Sequence, residues 1–204
     1  NEIIYNIQGN RNPFIDNPEY VSILWGNDGS LSNALRLRGV MDFDLSGSNG
    51  KSLHLYAQQD IPDLSVFGIG VANNGGGTDG QEEILPVISV SEGDHILLAR
   101  SPESIESYLG DCYLNFDHVI QASDAISQNG DDAIEVYEQG VLIETFGDAN
   151  EDGTGQPWEY SDSWAYNFDG VWSYGLNCDG VTSLITGTGS FSFNLSQFSM
   201  NESM

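Results

Sequence analysis

The chain is predicted to fold as an all-β domain, a sandwich or barrel of short strands interrupted by one short helix. Apolar runs of a few residues recur from Leu35 onward, and clusters of Gly, Asn and Asp separate them. Hydrophobic residues make up 39% of 204, enough for a core of ordinary size in one β-rich domain with or without flanking segments.

Before those runs, residues 1–30 read differently. A short apolar-polar segment leads into the turn-rich Asn10–Asn17, and a brief amphipathic piece around Val21, Ile23, Leu24 and Trp25 ends at Gly26-Asn27-Asp28-Gly29-Ser30, a linker by composition. Strand signals then follow in order. Leu35, Leu37, Val40 and Phe43 form the first, and Leu53, Leu55 and Tyr56 follow the turn at Gly47–Gly50. Val66, Phe67, Ile69 and Val71 run into Asn73-Asn74-Gly75-Gly76-Gly77. Ile84, Val87, Ile88 and Val90 read as the next strand, and Ile96, Leu97 and Leu98 as the one after it.

The helix is set by Ser101-Pro102-Glu103. Ser101 is the expected N-cap, Pro102 occupies the first helical position, Ile105, Tyr108 and Leu109 make the apolar stripe, and Gly110 stops it. Strands resume at Val119–Gln121. Residues 133–137 and 141–146 then flank Glu138-Gln139-Gly140 as a hairpin. The domain is expected to span 31–186, and the Ser- and Asn-rich residues 187–204 to leave the core.

Charge narrows the partners. With 31 acidic and 5 basic residues, the formal net charge is −26, and no basic residue follows Arg100. Such a surface repels phosphate backbones and anionic membranes, because affinity for either comes from Lys and Arg. It attracts divalent cations or a cationic partner, and it also suits an acidic, solubilising surface on a secreted protein. No apolar run approaches the roughly 20 residues that span a bilayer. No basic start precedes a hydrophobic stretch, so any signal peptide is expected to have been removed or to lie upstream.

Residues 148–159 carry the most specific ligand pattern. Asp148, Asn150 and Asp152 occupy positions one, three and five of a twelve-residue calcium loop, Gly153 is the turn glycine at six, Thr154 offers its carbonyl at seven, and Glu159 closes at twelve. No helix precedes the loop, so it is not an EF-hand. The alternative is a polar turn satisfied by its own Asx hydrogen bonds. Calcium here would be structural, pinning the connection between Phe146 and Trp158. Asp79, Glu82 and Glu83, and the pair Asp131 and Asp132, are secondary cation candidates, read first as solvated turn residues.

Two segments then resemble known families. Gly50-Lys51-Ser52-Leu53-His54-Leu55-Tyr56, Asp63–Gly70 running into Asn73–Gly77, Ile88–Gly93 ahead of Ile96–Arg100, Asn129–Tyr137, Phe146-Gly147-Asp148, Gly153-Thr154-Gly155 and Trp158-Glu159-Tyr160 resemble the bacterial branch of the lamin tail domain. The resemblance covers roughly residues 35–177 and implies an immunoglobulin-like β-sandwich, a fold used mostly as an accessory or binding module beside secreted enzymes. Asn6–Asp16, with Glu19-Tyr20-Val21 and Trp25, is similar to the carboxyl-terminal end of the secreted bacterial endonuclease I family. That family's catalytic His and its Mg²⁺-binding Glu and Asn precede this tail and have no counterparts here. The likeness implies a carboxyl-terminal fragment of a secreted nuclease with an appended tail domain.

Catalytic patterns are weak by comparison. His54, His95 and His118 stand apart from any nucleophile–base or metal-ligand spacing, and Gly75-Gly76-Gly77 lacks the Lys of a phosphate loop. Cys112 and Cys178 permit one disulfide or two free core thiols. The aromatic crowd from Trp158 to Tyr174 offers Trp164, Trp172 and Tyr174 as rings that stack on sugars or anchor a partner; otherwise they cover the open end of the sandwich. The expected function is a non-catalytic, calcium-stabilised module of a secreted or cell-surface bacterial protein, an extracellular nuclease. A carbohydrate- or cell-surface-binding module is the alternative.

Overall fold

The computed structural model describes residues 34–174 except 169, all in the second of two units into which the chain divides, 32–204. The expectations placed on 1–30, on Cys178 and on 187–204 lie outside the described residues.

Among the described residues, ten strands form two sheets. They are β1 (Leu35–Asp42), β2 (Lys51–Ala57), β3 (Phe67–Ala72), β4 (Glu83–Ile84), β5 (His95–Ala99), β6 (His118–Gln121), β7 (Ala133–Glu138), β8 (Val141–Phe146), β9 (Trp164–Phe168) and β10 (Val171–Tyr174). The six-stranded sheet runs β10-β9-β1-β2-β5-β6 and the four-stranded sheet β4-β3-β7-β8. All pairs are antiparallel except β5–β6, whose parallel register needs a crossover, and the helix α1 (Pro102–Leu109) supplies it. The chain is therefore an immunoglobulin-like β-sandwich with one short helix among the described residues.

Alternation along the strands builds the core. Leu35, Leu37, Val40, Leu53, Leu55, Ile96, Leu98 and Ala165 from one sheet meet Phe67, Ile69, Val71, Ile134 and Val136 from the other, all 1% exposed or less. A second cluster lies on the outer face of the larger sheet, where Ile105 and Leu109 of α1 cover Met41, Phe43, Leu97 and Ala99. The outer face of the smaller sheet is roofed by the loop after β3. A Cβ on Gly70 would stand 2.5 Å from the Gly80 carbonyl oxygen, so only glycine lets the loop lie there.

Three expectations change. The run Ile84–Val90 is a strand only at Glu83–Ile84, because Pro86 cannot donate to a ladder; its far end is an isolated bridge from Val90 to Ile61. Ser101 occupies the cap position, but its hydroxyl donates to Ser104 Oγ at 2.8 Å and makes no capping bond to the backbone. The aromatic stretch after Trp158, read as a cluster, contains the hairpin β9–β10. By contrast, the β7–β8 hairpin turns at Gln139-Gly140 with both φ positive, as a two-residue turn of that hand requires.

Candidate functional site

The loop of residues 147–163 crosses from β8 in one sheet to β9 in the other, and backbone bonds tie it down along its length. Ala149 accepts from the Gly77 N–H at 2.8 Å, the Gly153 N–H donates to the Asp131 carbonyl at 3.0 Å, and the Tyr160 N–H donates to the Gly130 carbonyl at 2.6 Å. The turn Asn73–Gly77 and the entry to β7 thus form its bed.

Within it, the expected ligands face their own backbone. Asp148 Oδ1 accepts the Asn150 N–H at 2.9 Å, and Asp152 Oδ1 accepts the Thr154 N–H at 2.9 Å, two Asx turns. That bond and the Thr154 side chain hold the Asp152 carboxyl below the usual range. Glu159 accepts the Gly155 N–H at 2.7 Å on one oxygen and the Ser161 hydroxyl at 3.1 Å on the other. Gly153 is not the left-handed turn residue; Gly155 is, at φ +76. Gly153 is a glycine for space, since a Cβ there would stand 2.5 Å from the Asp131 carbonyl oxygen and 2.6 Å from the Trp158 ring.

Asp131 enters the site from the sequence's secondary candidates. Its Oδ2 accepts the Thr154 hydroxyl at 2.9 Å, whereas its Oδ1 is buried with no hydrogen-bond partner. Asp132 points the other way and accepts the N–H groups of Asn74 and Asn129 at 2.8 and 3.0 Å. Burial raises its pKa despite those two bonds. Of the remaining candidates, Glu82 accepts the Val71 N–H at 3.0 Å and Glu83 binds Ser123, so both serve strand edges.

The donor set of the loop fits a hard cation in kind: carboxylate, carboxamide and carbonyl oxygens, with an unpartnered carboxylate oxygen of Asp131 alongside. In arrangement, Asp148 and Asp152 each spend one oxygen on an Asx turn, and both oxygens of Glu159 accept within the loop. Among the described residues, no three His, Cys, Asp or Glu side chains are grouped to hold a metal ion.

The aromatic candidates are packed. Phe146, 2% exposed, is ringed by Trp158, Tyr160, Trp172 and Tyr174 at centroid distances of 6.1, 5.4, 4.5 and 6.4 Å. Trp164 is half-buried against the cluster under α1 and stacks on Tyr166 at 5.1 Å. Cys112 is a free thiol, half-buried beside the same cluster; Cys178 lies outside the described residues.

Two of the three histidines, His54 and His95, come together, which their sequence spacing hides. His54 is fully buried, with its Nε2 2.9 Å from His95 Nδ1, and His118 Nε2 stands 2.9 Å from Asp94 Oδ2. Of the His54–His95 pair, only His54 is buried; His95 is half-buried. Strand register is the signal that places it: Tyr56 pairs His95 across β2–β5, which sets His54 and His95 diagonally on one face.

Comparison with protein-family models, with curated proteins and with solved structures returns no match. Among the described residues no helix is long and apolar enough to cross a membrane.

Proposed function

We propose that this chain is a non-catalytic accessory module of a secreted bacterial protein, an extracellular nuclease, with a β-sandwich stabilised by calcium. The observation that carries the reading is the position of the calcium-like loop: Asp148 to Glu159 lie on a crossover between the two sheets, beside a buried Asp131 oxygen that has no partner. Asp148, Asn150, Asp152, the Thr154 carbonyl and Glu159 would hold the ion, with Asp131 next to them. Bound calcium would supply positive charge to a carboxylate-rich turn in a chain of net charge −26. The lamin tail likeness agrees with the fold, and the link to a nuclease rests on the likeness of residues 6–25 alone.

Thermal unfolding of the chain in EDTA and in millimolar calcium tests the first part. For a dissociation constant of order 10⁻⁴ to 10⁻³ M, the gain is about 1 kcal/mol, a midpoint rise of about 3 °C. Asp148→Ala/Asp152→Ala should abolish the rise. Superimposable curves with and without calcium reduce the loop to a polar turn. Reading the parent gene upstream of Asn1 for that family's His, Glu and Asn tests the second part, and their absence there removes the nuclease.

A further inference from the structure

Asp131 reaches the calcium-like loop from outside it and holds it by two atoms. Its carbonyl accepts the Gly153 N–H at 3.0 Å, and its Oδ2 accepts the Thr154 hydroxyl at 2.9 Å. Gly153 and Thr154 stand at positions six and seven of the loop's spacing. The Asp131 carboxylate therefore sits against the residue whose carbonyl is expected to ligate. The turn before it holds the loop as well. The Gly77 N–H donates to the Ala149 carbonyl at 2.8 Å, and a Cβ on Gly75 would stand 2.5 Å from the Asp152 nitrogen. Residues 149–154 are thus fixed from two other stretches of chain, with Asp131 already in place.

The carboxylates around the loop are unequally engaged. Asp148 and Asp152 each give Oδ1 to an Asx turn, and a second oxygen of each can still meet a cation. Glu159, which the spacing places at twelve, gives one oxygen to the Gly155 N–H at 2.7 Å and the other to the Ser161 hydroxyl at 3.1 Å. To ligate, it has to give up one of those bonds. Asp131 Oδ1 has none to give up, because it is buried without a hydrogen-bond partner. A buried acceptor without a donor carries the full cost of its lost hydration, and the cost is greatest for a charged group. A divalent cation that takes oxygen ligands offsets that cost.

We propose that Asp131 Oδ1 supplies the carboxylate that closes the calcium site, in the place the spacing gives to Glu159. This rests on the calcium reading above and revises one ligand of it. Glu159 instead shapes the end of the loop through Gly155 and Ser161. The ligands then come from two separate stretches of chain, so the ion ties the entry of β7 to the crossover between the sheets.

The test is titration of the whole chain, stripped with EDTA, with calcium chloride, followed by amide chemical shifts in the parent, Asp131→Asn and Glu159→Gln. The parent should bind with a dissociation constant of order 10⁻⁴ to 10⁻³ M. Asp131→Asn should weaken binding about tenfold or more, and Glu159→Gln by less than about threefold. The dispersion of the same spectra without calcium shows whether each variant is folded. Should Asp131→Asn fail to fold, the carboxyl carbon-13 resonances of the parent decide, and that of Asp131 should move further on calcium addition than that of Glu159. A loss from Glu159→Gln as large as that from Asp131→Asn, or a larger carboxyl shift at Glu159, leaves calcium binding in place and overturns the role given to Asp131. No calcium binding by the parent removes both that role and the reading beneath it.

Discussion

The Phe146 ring and the Trp172 indole pack with centroids 4.5 Å apart and planes inclined at 59°, joining β8 of the smaller sheet to β10 of the larger. Phe146 is also the last residue before the crossover loop, and a Cβ on its neighbour Gly147 would stand 2.9 Å from the Trp158 ring. The aromatic crowd is thus the hinge pin of that end of the sandwich, with the loop folded over it.

Truncating the hub should therefore cost more than truncating any single ring around it. Phe146→Ala is expected to destabilise by about 3–5 kcal/mol and Phe146→Leu by about 1.5 kcal/mol, read from urea unfolding at neutral pH. Trp172→Ala, at a half-buried position, should fall well short of Phe146→Ala. Equal losses for the two would mean that the rings do not converge on Phe146.

Most strands were legible because their apolar residues alternate and their turns carry Gly, Asn or Asp. The β9–β10 hairpin was not. Trp164, Tyr166, Trp172 and Tyr174 alternate with Ala165, Asn167 and Ser173 on either side of Asp169-Gly170, but a density of aromatic residues masks a period of two. The loop's ligand spacing was visible, whereas the reason for Gly153 was not, since it lies in the Asp131 carbonyl and the Trp158 ring. The bond from the Leu37 N–H to the Glu144 carboxylate was beyond any local reading, since it depends on a bulge at Arg38 and joins residues 107 positions apart.

Two glycines two positions apart should respond to substitution for different reasons. Gly153→Ala forces a Cβ into backbone at 2.5 Å and should cost about 2–3 kcal/mol. Gly155 has φ +76 with nothing within 4 Å of an added Cβ, so Gly155→Asn, which tolerates that backbone, should cost about 0.5 kcal/mol or less. Chemical denaturation of both variants decides it. A costlier Gly155→Asn would mean that the loop lacks this packing.

Lys51, the one lysine of the chain, holds Asp42 at 3.3 Å and also donates to the Gln128 carbonyl, with both charged side chains less than 15% exposed. Burial raises the Asp42 pKa, and Lys51 opposes the rise. Lys51→Met strands a buried carboxylate and should cost about 3 kcal/mol near pH 7. An acid whose folded pKa is raised stabilises the fold below its unfolded value near 3.9 and loses that as pH rises through the folded one. The deficit of Lys51→Met should therefore shrink on acidification. Lys51→Met/Asp42→Asn should recover part of it at pH 7. A deficit that does not change with pH would mean that Asp42 is not the stranded group.

His54 should give the opposite dependence. Burial, then His95, then Arg38 hold its pKa well below the ordinary imidazole value, so it stays neutral in the fold while the unfolded chain takes up a proton near pH 6.5. The folded state then binds fewer protons, and stability rises with pH. The contribution is complete above about pH 6.5 and is lost as pH falls below it, at about 1.4 kcal/mol per unit until the folded pKa is reached. Asp42, Asp132 and Glu144, whose pKa values are raised chiefly by burial, act in the opposite sense, but they are common to parent and variant. Subtracting the stability of His54→Asn from that of the parent, each measured by urea unfolding from pH 7.5 to 5, isolates the imidazole. The difference should be flat down to about pH 6.5 and then fall by about 1.4 kcal/mol per unit. A difference independent of pH would show that His54 takes up its proton in the folded state as readily as in the unfolded chain.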